Sequence, residues 1–209
     1  NSHIERFQLQ IAKELALSQE RLKLGPKVLL HALVEVSEDN TISQDLMQEL
    51  YKLVGLASMI ANERERFTSQ LSEGKTIQAI AGLTDSSIEK LYQAAKYVFD
   101  QKRFLDAANA FGFLTMLNAS KFAFWLGLGN SEYKLNNYEQ ALFAYAFACR
   151  INPEDYLSHI FSCRCYEALG ERENAINALE LALYVLGDNP DKKELQLELE
   201  MQLTRLKAM

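Results

Sequence analysis

Three groups of residues in this chain are of types that perform chemistry elsewhere. Glu73-Gly74-Lys75-Thr76 ends in the Gly-Lys-Thr that closes a phosphate-binding loop. Such a loop needs a glycine five residues before Gly74, where Ser69 stands, and a strand leading into it, where the pattern predicts helix. The segment therefore reads as a helix C-cap glycine followed by a new helix. His159 and Cys163 lie one helical turn apart and could meet Cys149 around a metal, but no fourth ligand is spaced to complete a tetrahedral site. No nucleophile and base can be paired from the sequence, so the residues predict no catalytic centre, no metal and no cofactor.

What must position any function is a set of helices. In FWLGLGNSEYKLNNYEQALFAYAFACRINP, residues 124–153, Trp125, Leu128 and Gly129 open one helix, and Tyr138, Ala141, Tyr145 and Ala148 occupy the next before Pro153 closes the unit. Small residues at Gly129 and Ala141 let two antiparallel helices approach, and the aromatic rings fill the space around that contact. Pro153 ends the second helix because it lacks a donor and restricts Asn152. This is the pattern of a tetratricopeptide repeat, whose period is ~34 residues. One period either way, Ala107, Ala141 and Ala175 coincide, as do Ala95, Gly129 and Cys163; Phe111, Tyr145 and Leu179; and Leu114, Ala148 and Ala182. The outer units depart from the pattern, with Leu91 and His159 at the tryptophan position, Arg172 at the Tyr138 position, and Ala119 and Gly187 at the proline position, as terminal repeats do.

The expected fold is all-α: three tetratricopeptide-like repeats (about residues 88–121, 122–155 and 156–189) in a right-handed superhelical stack, with an N-terminal helical extension and a C-terminal capping helix. The expected divisions are 1–75 for the extension, 76–190 for the repeat domain and 191–209 for the cap. Residues 4–24 have apolar positions at helical spacing and predict an amphipathic helix stopped by Gly25-Pro26. Residues 28–36 form an apolar run that fits a buried helix or a strand. A turn is expected at 37–40, then a helix from Thr41 or Ser43 with Met47, Leu50, Val54, Ala57, Ile60, Phe67 and Leu71 on its apolar face. Asp85 or Ser86 is expected to cap the first repeat helix. Asn189-Pro190-Asp191 should start a last helix with Leu195, Leu199, Leu203 and Leu206 on one face.

With 209 residues, 48% of them hydrophobic, the chain can bury a sizeable core. Its formal charge of -6 argues against nucleic acid as a partner, since phosphate binders carry a basic face. No apolar run reaches the ~18 residues of a membrane span, and no leader pattern is seen, so a cytoplasmic protein with no membrane insertion is expected. The chain opens Asn1-Ser2-His3 without methionine and reads as a trimmed product. Three cysteines, an odd number, are read as small buried side chains in a reducing compartment.

In such arrays the first helices of successive repeats line a concave surface that grips extended segments. Residues three and four apart share a helix face. The expected groove is therefore Tyr92, Lys96 and Phe99 from the first repeat, Leu126, Asn130 and Tyr133 from the second, and Ile160, Arg164 and Glu167 from the third. Tyr133 and Ile160 could equally be repeat core. Lys96, Asn130 and Arg164 are in register and can hydrogen-bond a peptide backbone, while the apolar members supply anchors. Clamps for a terminal carboxylate need basic residues where Tyr92 and Leu126 stand, so an apolar guest is expected.

Gly74-Lys75-Thr76-Ile77, the helix ending Glu89-Lys90-Leu91-Tyr92, Phe104-Leu105-Asp106-Ala107-Ala108 and Phe124-Trp125-Leu126-Gly127-Leu128-Gly129 together resemble the class II chaperones of bacterial type III secretion, which serve translocator proteins. The resemblance runs from about Phe67 to the C-terminus; residues 1–60 are longer than the family usually has. It implies a cytoplasmic chaperone without nucleotide that holds an extended apolar segment of a translocator, with Tyr92, Phe99, Leu126 and Tyr133 in the groove. Lys96 is polar where the family commonly has an aromatic. The resemblance also implies docking to a gatekeeper protein and allows a homodimer through N-terminal helices. A generic repeat scaffold for assemblies outside secretion is the alternative.

Overall fold

The computed structural model describes residues 2–36 and 63–208, and every regular element among them is helical. The expected turn at 37–40 and the expected helix from 41 lie outside the described residues up to position 62; of its expected apolar face, Phe67 and Leu71 fall on α2 (Arg64–Ser72), which has its own N-cap at Glu63, buries Phe67 and leaves Leu71 exposed. The described elements fall into two compact units, residues 1–119 and 120–209.

In the first unit α1 (Ser2–Val36) runs straight through Pro26, which corrects the expected stop at Gly25-Pro26 and settles residues 28–36 as helix. An interior proline costs a helix about 3 kcal/mol, so tertiary contacts must hold it. They are visible: Leu29 and Ala32 are fully buried, and α1 packs on α4 (Asp85–Asp100) and α5 (Phe104–Leu117). Gly25 makes the approach possible, because a Cβ there would sit 2.4 Å from Phe113 Cβ and 2.7 Å from the Asn109 carbonyl oxygen. At the far end of the contact, Arg103 donates to both carboxylate oxygens of Glu35, at 3.2 and 3.1 Å.

Gly74 takes φ +82 just past α2, and the Thr76 hydroxyl accepts from Ala79 N to start the short α3 (Ile77–Ile80). The Gly-Lys-Thr is a helix-to-helix connector. Gln78 then ties the region together, donating to Asp85 Oδ1 at 3.0 Å and accepting from Asn118 Nδ2 at 2.7 Å. The cap of α4 is Thr84, whose hydroxyl accepts from Ser87 N at 3.2 Å, rather than Asp85 or Ser86, which lie inside the helix.

The second unit holds α6 (Phe122–Lys134), α7 (Tyr138–Ile151), α8 (Tyr156–Leu169), α9 (Arg172–Leu186) and, after a 3-10 turn opened by Asn189, α10 (Lys193–Ala208). Helices α6 and α7 pair, α8 packs on α7, α9 on α8 and α10 on α9. Helix α7 stops at Ile151, before Pro153.

The repeat period is written into both burial and backbone. Ala107, Ala141 and Ala175 are each 0% exposed, as are Leu114, Ala148 and Ala182. A Cβ on Gly129 would lie 2.5 Å from Tyr145 Cε1, which is the close approach the sequence required. Each pair of repeat helices is joined by the same Schellman turn, in which a left-handed residue ends the first helix. Those residues are Lys102 (φ 60), Asn136 (φ 61) and Gly170 (φ 75). The paired amides donate identically: Lys102 to Phe99 and Arg103 to Val98, Asn136 to Tyr133 and Asn137 to Glu132, Gly170 to Glu167 and Glu171 to Tyr166.

Candidate peptide-binding surface

The nominated residues take distinct places. In the first unit Tyr92 and Phe99 are half-buried on α4, Tyr92 edge-on to Phe111 at 6.1 Å and Phe99 edge-on to Phe104 at 5.3 Å, with Lys96 exposed between them. Burial pushes the Tyr92 hydroxyl above its usual range, so it stays a protonated donor.

In the second unit Leu126 and Tyr133 are half-buried along α6, packed against Ala141, Tyr145 and Cys165. Tyr133 lies 5.8 Å from the Tyr138 ring and 5.9 Å from the Phe161 ring. Asn130 stands between Leu126 and Tyr133, and its Oδ1 accepts from the Tyr145 hydroxyl at 2.9 Å. That bond fixes the amide with its nitrogen as the remaining donor. Burial holds the Tyr145 hydroxyl far above the usual tyrosine range, with the nearby Arg164 guanidinium only partly offsetting it.

On α8 the three nominees separate. Ile160 is 5% exposed and belongs to the core formed with Cys163, Leu179 and Leu199. Arg164 is exposed, its guanidinium carbon 5.4 Å from the Phe161 ring centre. Glu167 is engaged by α10, accepting from Gln202 Nε2 at 2.7 Å and from Arg205 Nη2 at 2.9 Å. The second unit thus presents a half-open wall of Leu126, Asn130, Tyr133, Phe161 and Arg164.

Phe161 was not among the residues read from the sequence. It stacks on Tyr145 at 5.7 Å and underlies Arg164, yet one period back its position is Gly127 and two periods back Gln93, so the repeat carries no signal for it. The only available hint was its spacing of three residues from Arg164.

The chemistry of the remaining candidates is muted. Burial pushes the Cys163 and Cys165 thiols up to about 12 and lowers the His159 imidazole. Cys149 Sγ and His159 Nδ1 lie 3.9 Å apart, and two such groups do not complete a tetrahedral site. Among the described residues no group of three or more His, Cys, Asp or Glu could hold a metal, and no helix is long and apolar enough to cross a membrane.

No family model matches the chain. The low calcium response locus protein H of Yersinia pseudotuberculosis is 26% identical to it over 139 residues, which are 66% of this chain and 83% of that protein. The type III secretion chaperone SycD of Yersinia enterocolitica, solved in complex with a peptide of the translocator YopD, superposes with a TM-score of 0.57 at 24% identity, covering 60% of this chain and 95% of that one. The chain is thus similar in sequence to a low calcium response locus protein and in fold to a solved translocator chaperone. A solved CopN-Scc3 complex gives a TM-score of 0.59 at 24% identity over 84% of this chain and 96% of that one. A repeat fold of this kind accounts for the matching burial of Ala107, Ala141 and Ala175 and of Leu114, Ala148 and Ala182.

Proposed function

We propose that the chain is a cytoplasmic, non-enzymatic type III secretion chaperone that holds an extended apolar segment of a translocator protein and keeps that protein soluble until export. The observation that carries this reading is the wall of the second unit, where Leu126, Tyr133 and Phe161 leave apolar surface half-open beside the donors Asn130 and Arg164. Such a mixture suits a peptide in extended form, whose side chains need pockets and whose backbone needs partners. Tyr92 and Phe99, with Lys96 between them, offer a face of the same character in the first unit. The YopD peptide held by SycD supports the assignment of the guest, and the CopN-Scc3 complex supports docking to a gatekeeper protein.

Translocators insert into membranes, so an unbound one exposes large apolar surface and aggregates. The test is coexpression of the chain with the translocators of its own secretion system, the affinity tag being on the translocator. A soluble complex that stays together through size exclusion is expected. A translocator that precipitates while the chain elutes alone would overturn the reading.

A further inference from the structure

Arg164 is an exposed cation on the apolar wall of a chain whose net charge is -6, and no carboxylate partners it among the described residues. Its natural partner would be Glu167, three residues on and on the same helix face. That carboxylate is drawn away by α10, through Gln202 at 2.7 Å and Arg205 at 2.9 Å. The C-terminal helix therefore engages the acid that shares Arg164's own helix face. Phe161 holds the guanidinium in place from below at 5.4 Å. Beside it Tyr145, stacked on the same Phe161 ring, turns the Asn130 amide so that its nitrogen is left as a donor.

We infer that this wall selects a guest segment in which an internal aspartate or glutamate lies between apolar residues, its carboxylate bound by Arg164 with Asn130 as second donor. The inference rests on the proposed peptide-holding role and adds a sequence preference to it. An arginine fork matches a carboxylate in shape and charge, and a guanidinium can lie against an aromatic ring while its N–H edge remains available to that carboxylate. A chain-terminal carboxylate is a poorer guest, because one helical turn from Asn130 the wall offers Leu126 where a second cation would be needed.

The full chain and its Arg164→Gln variant are each used to select from a displayed library of random dodecapeptides. One selected peptide, amidated at its C-terminus, is then titrated by fluorescence anisotropy in its acidic, Gln and Lys forms. Expected is enrichment of Asp or Glu among apolar residues with the parent chain only. Neutralising either the peptide acid or Arg164 should weaken binding by about five- to tenfold, doing both should add little, and Arg164→Glu should come to prefer the Lys peptide. Apolar peptides that bind without an acid and ignore Arg164, or that need a free C-terminus, overturn the inference and leave the apolar wall standing. Selection of no apolar peptides by any variant, each as helical as the parent by circular dichroism, overturns both.

Discussion

Arg172 caps the end of the last helix: its Nε donates to the Leu206 carbonyl at 2.6 Å and its Nη2 to the Lys207 carbonyl at 2.9 Å. The residue that departs from the repeat pattern at the Tyr138 position is thus a fastening for α10, alongside Leu199 and Leu206, which are 2% and 4% exposed. Terminal helix carbonyls have no partner within the helix, so a guanidinium placed there is stabilising. Arg172→Ala should destabilise the chain by about 1–2 kcal/mol in urea unfolding. Amide hydrogen exchange should quicken first in residues 193–208. Uniform quickening across the second unit would show that α10 is not separately fastened.

The three Schellman turns give a graded series. Gly170 takes the left-handed conformation at no steric cost, Asn136 tolerates it, and Lys102 is strained by it. Lys102→Gly should therefore stabilise by about 0.5–1 kcal/mol and Gly170→Ala destabilise by about 1 kcal/mol. A Cβ on Gly170 meets nothing within 4 Å, so any loss there is backbone strain alone. Thermal unfolding of both variants would check the order, and destabilisation by Lys102→Gly would contradict it.

Gly25 and Gly112 both lie where α1 crosses α5, but they should not respond alike. A Cβ on Gly25 meets backbone, the Asn109 carbonyl oxygen at 2.7 Å, whereas one on Gly112 meets the Arg21 side chain, its Cδ at 2.2 Å. Arg21 can swing aside and backbone cannot. Gly25→Ala should cost about 1–3 kcal/mol and open α1 to limited proteolysis, with Gly112→Ala costing less. Equal effects would mean that the two helices part and re-dock as rigid bodies.

How much of this was legible in the residues divides along the same line as their contacts. Gly129, Ala141 and Tyr145 pack within one repeat, and their spacing announced both the helices and the close approach. Arg172 and Leu206, or Gly25 and Phe113, are partners across long stretches of chain, and no local pattern names such a pair. Pro26 shows the cost of local reasoning most plainly, because a strong helix-stopping signal was overridden by burial of Leu29 and Ala32 against the first repeat. In the candidate wall the helix face names Leu126, Asn130 and Tyr133 together, yet whether Ile160 and Glu167 stay open depends on α9 and α10, which the repeat register alone does not place.

Burial of Cys163 and Cys165 makes stability depend on alkaline pH. In the unfolded chain a thiol ionises near ~8.5, while in the folded chain both stay protonated up to about 12. Between those values the unfolded state has released protons that the native state retains, so stability is full below the lower value and falls as pH rises toward the upper one. Urea midpoints should decline through this window, and less steeply in Cys165→Ala. In the native chain at neutral pH a thiol reagent should modify the half-buried Cys149 well before the other two. Rapid modification of all three would contradict the packing described here.

The central claim is that half-open apolar side chains on the first helices of the repeats hold the guest. Isothermal titration of the copurified translocator segment into the parent chain and into the Tyr92→Ala, Leu126→Ala double variant addresses it most directly. The account predicts binding weakened by about tenfold or more with helical content unchanged. Equal affinity for the two chains would contradict it.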